Sequence, residues 1–123
     1  GNNNAYCQDN AVGWIDWWRA PGEQDTIELV ARLARLRASD PLLHAARWFD
    51  ADGDPGDGPR ITWQHPAGHA MRVDDWHATD SGALAALLAD GPGHAPRWAV
   101  LFNPDPQAVA FVLPPGGWRV ELE

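Results

Sequence analysis

Three stretches of the chain hold the residues that could act chemically. The first is the opening run, where Asn2, Asn3, Asn4, Gln8, Asp9 and Asn10 crowd amides and carboxylates around Tyr6 and Cys7. Such groups make directed hydrogen bonds, and the run passes abruptly into an aromatic block, Trp14, Trp17 and Trp18. Asp9 and Asp16 are the acids in the most site-like setting, and two well-placed carboxylates are enough for acid–base hydrolysis. The second stretch contains Asp50, Asp52 and Asp54, which have the alternate spacing of a calcium loop. The pattern then fails: Pro55 stands where the sharp-turn glycine is required and Ile61 where the bidentate glutamate should be, so the stretch reads as a solvated loop. The third is His65 and His69. A metal-binding pair at that spacing needs a helix, and Pro66-Ala67-Gly68 between them forbids one, so they read as separate surface histidines. No metal and no cofactor are expected.

Several function classes drop out. There is no G-x-S-x-G nucleophile elbow, no phosphate-cradling glycine loop followed by lysine, and no zinc-type Cys/His spacing. The net charge is -8 and all 9 basic residues are arginines without a basic run. Nucleic acids and anionic membranes both require clustered cations, so neither is an expected partner. Cys7 is the single cysteine, which rules out an internal disulfide. The start lacks a basic end followed by an apolar run, and no window approaches a membrane span, so a soluble cytoplasmic protein is expected. The 8 tryptophans are expected to be mostly core. Both ends read as cut: Gly1 opens inside a loop-like stretch, and a closing Leu122-Glu123 is what a cloning scar would leave.

The elements that must position these groups follow from periodicity. Residues 1–18 lack a helical or strand period and read as a loop held by side-chain hydrogen bonds. Pro21-Gly22 marks a turn. Residues 25–37 predict a helix, with Asp25 as cap, Glu28 completing a capping box, and Ile27, Leu29, Val30, Leu33 and Leu36 on one broad face. Asp40-Pro41 ends it and starts a short helical segment. Arg47-Trp48-Phe49 reads as extended, and residues 50–59 as a loop. From residue 60 short strands are predicted at 60–64, 69–73, 97–102, 107–113 and 118–122, with a polar turn at 74–77. Residues 82–89 are ambiguous: propensity favours a helix, while their short length and flanking glycines favour a strand. Three successive hairpin-like strands at the end suggest an antiparallel sheet and a small sandwich.

One resemblance is specific. Gly1-Asn2-Asn3-Asn4-Ala5-Tyr6-Cys7-Gln8-Asp9-Asn10 followed by Trp14-Ile15-Asp16-Trp17 closely resembles a signature of bacterial glycogen debranching enzymes of the isoamylase type, in the α-amylase superfamily of glycoside hydrolases. Residues 33–37 with Pro41-Leu42-Leu43 resemble that family's last barrel helix and the segment after it. Thr62-Trp63, Asp74-Asp75-Trp76, the leucine-rich run at 84–88, Val100-Leu101-Phe102-Asn103 and Val112-Leu113-Pro114 resemble its C-terminal domain in order and spacing. Ala11 stands where many members carry glutamate.

The resemblance implies a parent that hydrolyses α-1,6-glucosidic branch linkages in glycogen or limit dextrin, with a (β/α)8 catalytic barrel and its site at the strand C-termini. It implies retention of configuration through an Asp nucleophile, a Glu acid and a second Asp, all upstream of Gly1, so no catalytic residue falls in this chain. The implied fold is mainly β: residues 1–45 end the barrel with a loop and its final helix, and residues 46–123 form an antiparallel β-sandwich. The resemblance also favours a strand at 82–89. Asn3, Asn4 and Tyr6 are the candidate substrate-binding residues. The implied partners are a branched α-glucan, reached through the parent enzyme, and the missing catalytic barrel. Self-association of the isolated piece is expected through the apolar face of helix 25–37. The rival readings are a glucan-binding module, with exposed tryptophans stacking on sugar, and a purely structural domain.

Overall fold

A computed structural model of the chain describes residues 6–7, 9–51, 53–79 and 82–123, with the side chain of residue 20 also left undescribed. The chain divides into two compact units, Gly1–Leu43 and His44–Glu123.

In the first unit, a turn is held by its own polar side chains. Gly13 N and Trp14 N donate to Asn10 O at 2.9 and 3.1 Å, and Val12 N donates to Asn10 Oδ1 at 3.0 Å. Asp16 then caps a 3-10 helix, Trp17–Glu23, by accepting from Trp18 N at 3.2 Å. A short helical segment thus replaces the turn expected around Pro21-Gly22. Helix α1 follows directly, Gln24–Ser39. Its cap is Glu23, without a side-chain cap bond, and Asp25 sits in the first turn instead of capping it. There Asp25 still faces the positive end of the helix dipole, with Arg37 at the negative end. The helix stops where proline dictates: Asp40 is extended, at φ -131° and ψ 120°, the conformation that a following Pro41 imposes. Asp40 Oδ1 accepts from Leu42 N at 2.9 Å and starts the segment Pro41–His44, as expected for an aspartate before proline. Leu42 is buried there, whereas Ile27, Leu29, Val30 and Leu33 of α1 are exposed.

The second unit is built on one four-stranded sheet. Its strands are β1 (Asp50–Ala51), β2 (Arg60–Gln64), β3 (Leu84–Ala89) and β4 (Trp98–Phe102), in the order β1-β2-β3-β4. The pair β2/β3 is antiparallel with Trp63 opposite Ala86, and β3/β4 is antiparallel with Ala86 opposite Val100. The pair β1/β2 is parallel, so the sheet is mixed. The predominance of β structure in this unit matches the expectation. The fully antiparallel sheet does not, because Asp50 and Ala51 lie alongside the strand that the loop after them leads into, with Asp50 N bonded to Pro59 O at 2.8 Å.

The ambiguous run at 82–89 is a strand from Leu84 to Ala89, and it supplies most of the core: Ala85, Ala86, Leu87, Leu88 and Ala89 are all buried. Burial at successive positions means that both faces are covered, so the run reads as continuously apolar and lacks strand alternation. Its helix propensity is outweighed by two ladders, one on each side. The segments 107–113 and 118–122, expected as strands, belong to no ladder, and no second sheet layer is present among the described residues. The turn between β4 and 107–113 explains part of this. Asn103 Nδ2 donates to Gln107 O, Asp105 N to Asn103 Oδ1, and Gln107 N to Asp105 Oδ1, at 2.8, 3.1 and 2.8 Å. These side chains occupy backbone groups that a hairpin ladder would use. Segment 107–113 is tied elsewhere, through Gln64 Nε2 to Val112 O at 2.7 Å and Val112 N to Pro66 O at 2.8 Å.

None of the 8 tryptophans is fully buried. Trp17, Trp18 and Trp48 are among the most exposed large side chains, against the expectation of a tryptophan core. Two small units enclose too little volume to surround such rings, and the alanine-rich β3 fills the interior instead.

Candidate functional site

Of the candidate substrate-binding residues, Asn3 and Asn4 lie outside the described residues, and Tyr6 is described as 84% exposed in a turn. The next residue, Cys7, is an exposed free thiol at φ +52°. The two acids of this stretch serve the loop itself. Asp9 Oδ1 accepts from Trp14 Nε1 at 2.7 Å, and Asp16 caps the helical turn described above. Both bonds stiffen the polar run against the aromatic block, so that the loop enters Trp17–Glu23 in a set direction.

The acidic loop after β1 is organised by a cation from the chain. The Arg60 side chain at the start of β2 is only 6% exposed. Its guanidinium donates to Ala51 O and Asp54 O at 2.8 and 2.9 Å, and to Gly56 O. Asp54 Oδ2 in turn accepts from Ala51 N at 3.0 Å. Three carbonyls converging on one planar cation is a use of arginine's fixed fork of donors. The carboxylate of Asp50 packs so close to Gly56 that a Cβ there would lie 2.3 Å from Oδ2. At the rim, Arg47 Nη2 lies 2.8 Å from Asp57 Oδ1, and this guanidinium holds the Asp57 carboxyl below its usual range. Sequence reasoning read this stretch as merely solvated. The missed signal was Arg60 directly after the loop's closing proline.

The two histidines also differ from expectation. Pro66-Ala67-Gly68 prevents a helix but closes a tight turn, with His65 N bonded to His69 O at 2.9 Å and Gly68 N to His65 O at 2.8 Å. Gly68 adopts φ +93°, which favours glycine at the tip. The rings of His65 and His69 therefore stack, with centroids 4.7 Å apart and planes 7° from parallel. Asp75 stands beside them in a short helix, α2 (Val73–His77), where a polar turn was expected. Its Oδ2 lies 3.6 Å from His69 Nδ1.

Trp63 of β2 and Trp76 of α2 meet edge to face at 6.1 Å and 75°. With Leu84, Leu101, Phe102 and Pro104 they line a shallow apolar hollow of about 680 Å³. Aromatic edges beside open space suit an apolar or stacking ligand.

The second unit is therefore a mainly β module, and in the first unit the described loop acids are spent on local structure. The chain is similar to part of several longer proteins. The chain is 40% identical over 119 residues to a glycogen debranching enzyme of Cronobacter sakazakii, covering 97% of this chain and 16% of the relative. It is 38% identical over 120 residues to a glycogen debranching enzyme of Dickeya chrysanthemi, and 35% identical over 120 residues to one of Serratia proteamaculans, again covering 98% of this chain and 16% of each relative. The resemblance seen in the opening motif thus extends along nearly the whole chain, which spans about a sixth of the length of these relatives. No protein-family model matches the chain. No solved structure matches it either. Among the described residues no helix is long and apolar enough to cross a membrane.

Proposed function

We propose that the chain is the C-terminal portion of a glycogen debranching enzyme that hydrolyses α-1,6-glucosidic branch linkages in glycogen or limit dextrin, and that it is catalytically inert alone. The observation that carries this reading is similarity across 97% of the chain to proteins of that name, confined to 16% of their length. The catalytic acids of such an enzyme fall in the remainder. The local duties of Asp9 and Asp16 support the reading, since a carboxylate held by an indole N–H or spent as a helix cap is poorly placed to serve as acid or nucleophile. In the longer protein this piece completes the barrel wall and supports the active-site face, with Asn3, Asn4 and Tyr6 on the substrate side.

The test has two arms. The chain alone, incubated with glycogen limit dextrin, is expected to release no reducing ends above a blank; turnover would overturn the inertness. In the full-length enzyme, Asn4→Ala and Tyr6→Ala are expected to raise KM for branched dextrin by about tenfold, the worth of one or two hydrogen bonds to substrate. Unchanged kinetics in both variants would remove these residues from the site.

A second reading, glucan binding by the isolated chain, is favoured by the apolar hollow at Trp63 and Trp76. Titration with glycogen while following tryptophan fluorescence distinguishes it. No spectral shift at millimolar glucose equivalents leaves the structural role.

A further inference from the structure

We propose that His65, His69 and Asp75 form a binding site for a zinc ion, which ties the tip of the 65–69 turn to helix α2. Each of the three residues offers one ligand atom, and these atoms lie within 4.8 Å of one another. All three are half-buried, so the site is reachable from solvent yet walled on one side.

The backbone already brings the ligands together. The closed turn fixes the two histidines across from each other. Asp75 is fixed from the other side, because its Oδ2 accepts from Arg72 N at 2.8 Å at the start of α2. The His69 ring can present either nitrogen to an ion. Its Nδ1 faces the Ala70 carbonyl at 3.0 Å. With the Nδ1 proton donated to that carbonyl, Nε2 is the nitrogen left with a lone pair, the arrangement that second-sphere carbonyls favour in metal-binding histidines. The lone pair of His65 lies on Nδ1, which accepts from Ala67 N at 3.1 Å. That amide is exposed, so zinc can take the lone pair while water takes the amide.

Two nitrogens sharing a tetrahedral zinc at about 2.0 Å stand about 3.3 Å apart. The ligand atoms must therefore close by about 1.5 Å or less from their present limit of 4.8 Å. Rotation of two half-exposed imidazoles supplies that movement without displacing the turn. The donor set of two imidazoles and one carboxylate matches zinc better than calcium or magnesium, which prefer oxygen ligands alone. Water completes the fourth position.

The test uses the untagged chain carrying Cys7→Ser, which removes its only thiol, stripped of metal and titrated with zinc by calorimetry. The expected result is one equivalent bound. His65→Ala and His69→Ala are each expected to weaken affinity at least tenfold, and His94→Ala to leave it unchanged. Zinc should raise Tm in the parent chain and in His94→Ala, by several degrees, and should not do so in the other two variants. Circular dichroism of the metal-free variants shows whether the turn substitutions leave the fold intact. Should either variant misfold, the readout passes to Co2+ in the unsubstituted site, where tetrahedral nitrogen–oxygen coordination gives intense visible bands. Absence of binding at 1 mM zinc, affinity unchanged by both histidine substitutions, or lack of those bands would each overturn the proposal.

Discussion

The clearest quantitative consequence of the structure concerns Arg60. Its guanidinium is nearly enclosed and donates to the carbonyls of Ala51, Asp54 and Gly56. Replacing it with alanine strips three backbone acceptors of a charged donor. Hydrogen bonds to charged groups are worth about 1.5–3 kcal/mol each. Water will reach the loop carbonyls once the side chain is gone, so the net loss for Arg60→Ala should be about 3 kcal/mol, well short of the simple sum. In a domain of this size that lowers Tm by about 10–20 °C. Arg60→Lys keeps the charge but loses the planar fork, and should lose about half as much. The assay is urea unfolding followed by tryptophan fluorescence, with calcium added in a parallel series. A loss below about 0.5 kcal/mol for Arg60→Ala would refute the reasoning, since it would mean that the loop is not organised by the guanidinium. Stabilisation of the wild-type chain by millimolar calcium would refute it differently, by showing that a divalent ion competes for the same carbonyls.

Three further outcomes are expected. Gly68→Ala should cost about 1–2 kcal/mol in urea unfolding, because Gly68 sits at φ +93° and a Cβ would lie 3.0 Å from Val112 Cγ1; an unchanged midpoint would contradict the turn geometry. The Asp57 carboxyl should titrate below its ordinary value of 3.8, chiefly because it accepts a hydrogen bond from Arg47. A carboxyl depressed in the folded state adds stability above its unfolded value, and that contribution fades as pH falls through the folded value. NMR titration should show the depression reduced in Arg47→Ala, with the Arg60 charge and a backbone hydrogen bond left to hold the remainder. Finally, the exposed Ile27, Leu29, Val30 and Leu33 of α1 should drive concentration-dependent self-association of the isolated chain in sedimentation velocity, and Leu29→Lys with Leu33→Lys should suppress it; a monomer at all concentrations would count against that face.

Local codes were legible without coordinates. Helix α1 was expected from its apolar period and is found from Gln24 to Ser39, a little longer at both ends than the predicted range. Asp40-Pro41 ended it as proline requires. The strands at 60–64 and 98–102 follow from their β-branched and aromatic runs. The opening motif, through its resemblance to a family signature, pointed to the glycogen debranching enzymes that the chain matches over nearly its whole length. The candidate site was less legible, because Tyr6 carries no local pattern that distinguishes a ligand contact from an exposed turn residue.

What the tertiary structure decided are the pairings between distant segments. Alternation predicts an extended chain at 107–113, but a ladder also needs a free edge in register, and the side-chain bonds of Asn103 and Asp105 direct the chain elsewhere. The parallel pairing of Asp50 with Arg60 depends on how the intervening loop folds, which Arg60 itself controls. The four-residue spacing of His65 and His69 predicts a pair only on a helix, whereas a turn closed at Gly68 stacks them. The physical reason is common to all three. Periodicity and turn chemistry are written in neighbouring residues, while edge pairing, enclosure of a guanidinium and convergence of imidazoles depend on which distant backbone groups remain unpaired.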